Sequence, residues 1–236
     1  MKTNRHHTVK QFMAGSRQAL PIVLGYLPVA FAYGVLAQKS GLNGINAIGM
    51  SIIVFAGSAQ LIGAAMFAAG ASPAALIVTT FLVNLRHLLM SAALAPKLSG
   101  WKKHHLALFG YELTDETFAL HTMRMARAIP PMAETFGVNV TAQCSWVAGS
   151  IIGFFAGGRI TQVEAIGLDY ALPAMFIALL VPQLITASHL AAAALAGALS
   201  TVLYLAGLSQ SHVIAATIIG ASAGLWIESW IRPRSS

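Results

Sequence analysis

The chain has 236 residues, of which 57% are hydrophobic and only 9% charged, with a mean hydropathy of +0.72. Soluble domains carry about a quarter charged residues, so this composition excludes a soluble globular fold. The formal charge of +7 does not point to nucleic acid either, because the basic residues sit at the ends of apolar segments, where positive flanks orient membrane helices.

Lys2, Arg5, Lys10 and Arg17 make residues 1–18 a basic arm expected on the cytoplasmic side. The first candidate span, residues 19–38, contains Pro21, Gly25, Pro28 and Gly34. Proline removes a backbone donor and glycine adds flexibility, so a continuous helix is weakened there. A second apolar segment, 45–69, is interrupted by Gly57-Ser58-Ala59-Gln60. The third, 74–94, is long enough to span a bilayer and holds Asn84-Leu85-Arg86-His87. A charged side chain near the bilayer centre costs roughly 2.5 to 3.5 kcal/mol on insertion scales, so it persists where it faces a bundle interior, a partner or a water-filled path. The default reading of that cluster is a transport or permeation site.

A polar belt follows at 96–134, with Lys97, Lys102, Lys103, His104 and His105. Within it residues 106–123 are too acidic for an easy span, because of Glu112, Asp115 and Glu116. Four more apolar segments occupy 138–156, 170–187, 190–207 and 213–231, before a short tail at 232–236. Apolar segments of about 20 residues thus recur along the whole chain, which does not fit a signal peptide followed by a soluble domain. The expected fold is all-α: one transmembrane domain over 19–231, a helix bundle of about six to eight membrane segments. Cys144 stands alone and cannot build an internal disulfide or a CxxC metal site, and no cofactor is expected.

The basic residues constrain the topology. If the three early segments all cross, a cytoplasmic N-terminus places Lys97, Lys102 and Lys103 outside, against the positive-inside tendency. If one early segment is re-entrant or broken, the belt returns to the cytoplasm and Arg232 and Arg234 also fall inside. The segment expected to be broken is 45–69, since non-helical backbone at membrane depth is tolerated only when buried in protein or lining a cavity. Leu20-Pro21 to Pro28 and Leu172-Pro173 to Pro182 outline a weak internal repeat of proline-bearing segments, a pattern that can mark discontinuous helices around a transporter site.

The stretches PIVLGYLPVAFAYG (21–34), VFAGSAQ (54–60), NLRHLLMSAAL (84–94), LTDETFAL (113–120) and LDYALPAMFIALLVP (168–182) resemble, in order and spacing, the AzlC family. Members of that family are large subunits of bacterial branched-chain amino acid exporters. The resemblance implies efflux of valine-like amino acids, with methionine as a further candidate, across the inner membrane by a multi-pass permease. It also implies a small hydrophobic AzlD-type partner subunit and a chain that is not an enzyme.

A zwitterionic aliphatic substrate needs a carboxylate partner, an ammonium partner and an apolar pocket. Backbone amides freed at a helix break can cradle the carboxylate. Gly57, Ser58 and Gln60 offer such a break; alternatively, small residues there permit close helix packing. Asn84 and Arg86 are candidate substrate contacts, Arg86 through the substrate carboxylate or else paired with an internal acid, and His87 is a proton-exchanging group; Arg86 could instead sit at a helix end and snorkel to headgroups. Asn84 and His87 share a helix face while Arg86 points elsewhere. Asp115 and Glu116 are candidate ion-coupling carboxylates, or a helix first turn capped by Thr114. Asp169 has the same two readings. The glycine series Gly149, Gly153, Gly157 and Gly220, Gly224 read as helix contacts. Two other function classes compete: an intramembrane serine hydrolase using Ser58 with a histidine such as His87, around which no nucleophile-elbow pattern stands, and a passive channel or scaffold subunit.

Overall fold

The computed structural model describes residues 2–160, 186–207 and 212–231, with isolated positions between 161 and 185. Asp169, Pro173, Pro182, most of the 170–187 segment and the 232–236 tail lie outside the described residues, and with them the second half of the expected repeat. Among the described residues all regular structure is helical, in accord with the expected all-α fold. The chain divides into two compact units, Met1–Phe176 and Ile177–Ser236.

The first unit holds α1 (Lys2–Gln18), α2 (Leu20–Lys39), α3 (Gly44–Ile53), α4 (Gly57–Ala68), α5 (Pro73–Leu94), a 3-10 turn (Ala95–Leu98), α6 (Lys103–Tyr111), α7 (Asp115–Met125) and α8 (Met132–Gly157). The second holds α9 (Ala187–Leu205) and α10 (His212–Ile231). Among the described residues four helices are long and apolar enough to cross a membrane: α2, α5 with its 3-10 extension, α8 and α9. Shorter apolar helices at Gly44–Ile53, Gly57–Ala68 and Ile218–Glu228 add to them. The chain is a multi-pass membrane protein.

Glycines set how closely the first unit packs. A methyl group on Gly153 would lie 2.0 Å from the Phe31 carbonyl oxygen, and one on Gly34 2.3 Å from that of Ser150. The backbones of α2 and α8 therefore touch, which larger residues would forbid. The N-terminal part of α8 meets α1, where a methyl on Gly137 would lie 2.2 Å from the Phe12 carbonyl oxygen. In the second unit, Gly220 and Gly224 admit Ala196 and Ala192 in the same way. Both glycine series are helix contacts, as their spacing suggested.

Three details depart from the sequence reading. Helix α2 runs unbroken through Pro28, because a proline removes only one helical donor and membrane helices tolerate it when neighbouring groups compensate. The interruption of 45–69 falls at residues 54–56, and Gly57 to Gln60 form the first turn of α4. Phe55 makes the turn with a φ of +41°, a left-handed conformation that costs a bulky residue of order 1–3 kcal/mol. Burial holds it there, with its ring edge-on to Tyr26 at 6.4 Å. Finally, the acidic stretch within the belt is two short helices, α6 and α7, joined at residues 112–114.

Candidate functional site

The two joints, 54–56 and 112–114, begin α4 and α7, whose first turns hold Ser58 and Asp115. Each delivers a helix N-terminus, α4 on one side and α7 on the other, and Arg86 on α5 reaches both. Its Nη2 donates to Ser58 Oγ at 2.5 Å, and its Nη1 lies 3.1 Å from Asp115 Oδ2. Arg86 is thus spent on protein partners and does not act solely as a snorkelling cation. About a quarter of each side chain in the ion pair is exposed, so the pair is open to competition from a charged ligand.

The N-termini differ in how their amides are satisfied. Helix α7 is closed by its own side chains: Thr117 N donates to Thr114 Oγ1 at 3.4 Å, and Thr114 N donates to Thr117 Oγ1 at 2.8 Å. The capping role expected of Thr114 is real, and Asp115 and Glu116 do occupy the first turn. They are engaged beyond that turn as well. Tyr26 on α2 donates to Glu116 Oε2 at 2.7 Å and lies 2.5 Å from Thr114 Oγ1, which therefore supplies the proton of that second bond. Burial raises the Asp115 carboxyl above its ordinary range, and the Arg86 charge opposes that rise.

Helix α4 has no such closure. Its N-cap is Ala56, which has no side chain to accept a bond. The first bond into the joint is Gln60 N to Ala56 O, leaving the amides of Gly57, Ser58 and Ala59 as unsatisfied first-turn donors. Ser58 and Ala59 are 2% exposed or less and Gly57 is half-buried, so these donors are largely withdrawn from water. Buried N–H groups at a helix N-terminus, with a guanidinium beside them, form an anion site.

Gln60 faces the interior. Its Nε2 donates to Ser51 Oγ at 2.9 Å and its Oε1 accepts from Trp146 Nε1 at 2.9 Å, while Ser51 donates to Ser150 at 2.8 Å. Gly57 has to be glycine for the same reason, since a methyl there would stand 2.5 Å from the Trp146 ring. The ring lies edge-on to Tyr26 at 5.3 Å and stacks on Tyr33 at 6.5 Å, so the break rests on an aromatic floor. Asn84 contributes a buried Oδ1 without a partner, and Arg86 Nε is likewise unpaired. His87 is half-buried on α5, within electrostatic range of Arg86 and Glu116. Asp169 lies outside the described residues.

Sequence reasoning missed Tyr26 and one face of α8. Asn139, Gln143, Trp146 and Ser150 recur at helical spacing and bind, in order, His121 on α7, the Tyr111 hydroxyl and Ile52 carbonyl at the ends of α6 and α3, Gln60 on α4, and Ser51 on α3. Ile52 O is one of the carbonyls freed where α3 stops, and Tyr111 also donates to it. The signal was available: polar and amphipathic residues at i, i+4, i+7 and i+11 in an otherwise apolar helix.

A family model described as AzlC protein matches residues 21–160, which contain every group of this site. The chain is 36% identical to the "Inner membrane protein YgaZ" of Escherichia coli (strain K12), over 81% of each chain. It is 32% identical to an "Uncharacterized membrane protein" of Archaeoglobus fulgidus, over 91% of this chain and 94% of that one. Similarity to the "Branched-chain amino acid transport protein AzlC" of Bacillus subtilis (strain 168) is 29% identity, over 73% of this chain and 67% of the relative. No solved structure gives a significant match.

Proposed function

The chain belongs to the AzlC family, and from that premise we propose that it is the large subunit of a secondary transporter that exports branched-chain amino acids across the inner membrane. A membrane transport role follows from the family itself. The choice of substrate rests on one observation: Arg86 joins an uncapped, largely buried helix N-terminus to a carboxylate. Those are the two halves of a site for a zwitterion.

In this reading the substrate carboxylate takes the α4 amides of Gly57 to Ala59 together with Arg86. Its ammonium takes Asp115, with Glu116 beside it and the unpaired Asn84 Oδ1 in reserve. The amino acid then inserts into the existing Arg86–Asp115 pair, replacing one neutral arrangement by another, so no net charge is added to an apolar interior. Tyr26, Phe55 and Trp146 supply the apolar wall for an aliphatic side chain. Gln60 and Ser51 hold that wall instead of touching substrate. His87, Asp115 and Glu116 are available to couple movement to an ion gradient.

A hydrolase built on Ser58 is disfavoured by its partner. Ser58 Oγ accepts from a guanidinium, whereas nucleophilic activation needs an adjacent general base. The complex expected to work contains a small hydrophobic subunit of the AzlD type. Counterflow of labelled valine in proteoliposomes containing both subunits tests the reading directly: saturable exchange with valine, leucine, isoleucine or methionine supports it, and absence of flux for all four rejects it. Flux that does not saturate identifies a passive channel instead.

A further inference from the structure

At the α6–α7 joint lies a second set of buried polar groups that the substrate reading does not use. Glu112 is 4% exposed, and His121 on α7 and Asn139 on α8 are fully buried. His121 Nε2 lies 2.7 Å from Asn139 Oδ1, an acceptor, so that ring nitrogen carries the proton. Glu112 has Asn139 as its polar neighbour. Glu112 Oε2, His121 Nδ1 and Asn139 Nδ2 all lack hydrogen-bond partners. Asn139 Nδ2 is still close enough to draw on the Glu112 carboxylate, but His121 Nδ1 and Glu112 Oε2 have no such partner, and unpaired polar atoms in a buried cluster are costly for a purely structural feature.

We propose that Glu112, supported by His121 and Asn139, is the proton-binding site that couples transport to a proton gradient. The proposal rests on the transport reading above and assigns its coupling group to a place separate from the substrate pair. Glu112 binds one proton on its carboxylate when the site opens to one side and releases the same proton to the other.

The charges on the surrounding elements support this assignment, because Lys102, Lys103 and Arg127 are exposed to solvent and the others are engaged elsewhere. Arg86 on α5 pairs with Asp115, and Arg124 on α7 pairs with Glu134 on α8, which also accepts from Gln18 on α1 at 2.7 Å. Glu116 has the Tyr26 hydroxyl, and Lys97 donates to the Met125 carbonyl at 3.1 Å. His105 on α6 lies against the His104 and Phe136 rings at tilted angles. No cation is left to stabilise a Glu112 carboxylate among these. Burial accordingly pushes its carboxyl up to about 7, against a smaller pull from Asn139, and holds His121 below its ordinary range, so its ring is neutral.

The coupling is mechanical and short. Glu112 and Thr114 flank the fully buried Leu113 within one joint, and Thr114 and Asp115 carry the bonds to Tyr26 and Arg86. A charge appearing on Glu112 favours a hydrated joint over a packed one, which moves the α7 N-terminus and with it one half of the substrate site.

Glu112→Gln tests this in the reconstituted two-subunit complex. Counterflow of valine needs the substrate site and no net proton movement, whereas uphill accumulation driven by a pH gradient needs the proton site. The variant is expected to retain counterflow and to lose the accumulation, about tenfold for each coupled proton per pH unit in the wild type. Gradient-driven accumulation that persists in the variant overturns the proposal. Loss of counterflow in a variant that still purifies as a monodisperse complex also overturns it, because Glu112 would then belong to the substrate site. Absence of counterflow in the wild type rejects the transport reading instead. Infrared titration in lipid decides the matter should the variant not assemble: a buried carboxyl band titrating near 7 is expected in the wild type. A carboxyl spectrum that titrates wholly in the ordinary acidic range overturns the proposal.

Discussion

The two helix joints of the first unit solve the same problem in opposite ways. At 112–114 the chain closes the new helix with its own side chains, Thr114 and Thr117, and sets two carboxylates in the first turn. At 54–56 it uses Phe55 in a left-handed conformation and Ala56 as an N-cap, leaving the α4 amides open. The first joint is locally self-sufficient, whereas the second exists only because Trp146, Tyr26 and Gln60 hold it from α8, α2 and α4. A joint that is costly on its own terms and maintained by its surroundings is where function is to be sought.

Removing the group that spans both joints has the largest expected effect. Arg86→Ala leaves Asp115 without its cation and the α4 N-terminus without its guanidinium. Because the pair is about a quarter exposed, solvent screens part of the loss, and valine counterflow should fall roughly ten- to a hundredfold. Arg86→Lys keeps the charge but places it at one point, unable to serve Ser58 and Asp115 as a fork does. Its flux should be intermediate. Wild-type counterflow in Arg86→Ala would remove both joints from the transport site.

Gly57→Ala breaks the supported joint while leaving the self-sufficient one intact. The added methyl meets the Trp146 ring at 2.5 Å, and overpacking of this kind costs about 1–3 kcal/mol. A lowered midpoint of SDS-induced unfolding measures it. In a Trp146→Phe background the same methyl has more room, so the penalty should shrink; an equal penalty in both backgrounds would show that the indole is not what excludes it.

How far this difference could be read from the sequence follows from what each feature depends on. Long spans were legible because a bilayer demands apolar runs of about 20 residues whatever else the protein does. Arg86, Ser58 and Asp115 were legible because polarity in such a chain is costly. Thr114 announced its cap through a local rule. The other joint was placed a few residues late: Gly57 to Gln60 look like a break, yet Gly57 serves the approach of Trp146, and the turn itself sits on Phe55. Nothing local marks a phenylalanine for positive φ. Its support comes from residues as far away as Trp146, 86 positions from its partner Gln60, and a pairing at that range has no local signature.

The smallest expected effect is the most diagnostic. Ala56 has φ −137° and ψ 94°, the extended conformation of an N-cap, so a hydroxyl on its side chain can reach the open α4 amides. Ala56→Ser should make the supported joint resemble the self-sufficient one, and a serine cap is worth about 0.5–1 kcal/mol of stability. If the amides serve only the fold, the variant unfolds at higher SDS and transports valine as before. If they hold the substrate carboxylate, the hydroxyl competes with the ligand, and the apparent affinity for valine weakens several-fold while stability rises. A gain in stability together with a loss in affinity is what a site left open for a ligand predicts, because satisfying the protein there removes what the substrate would have satisfied.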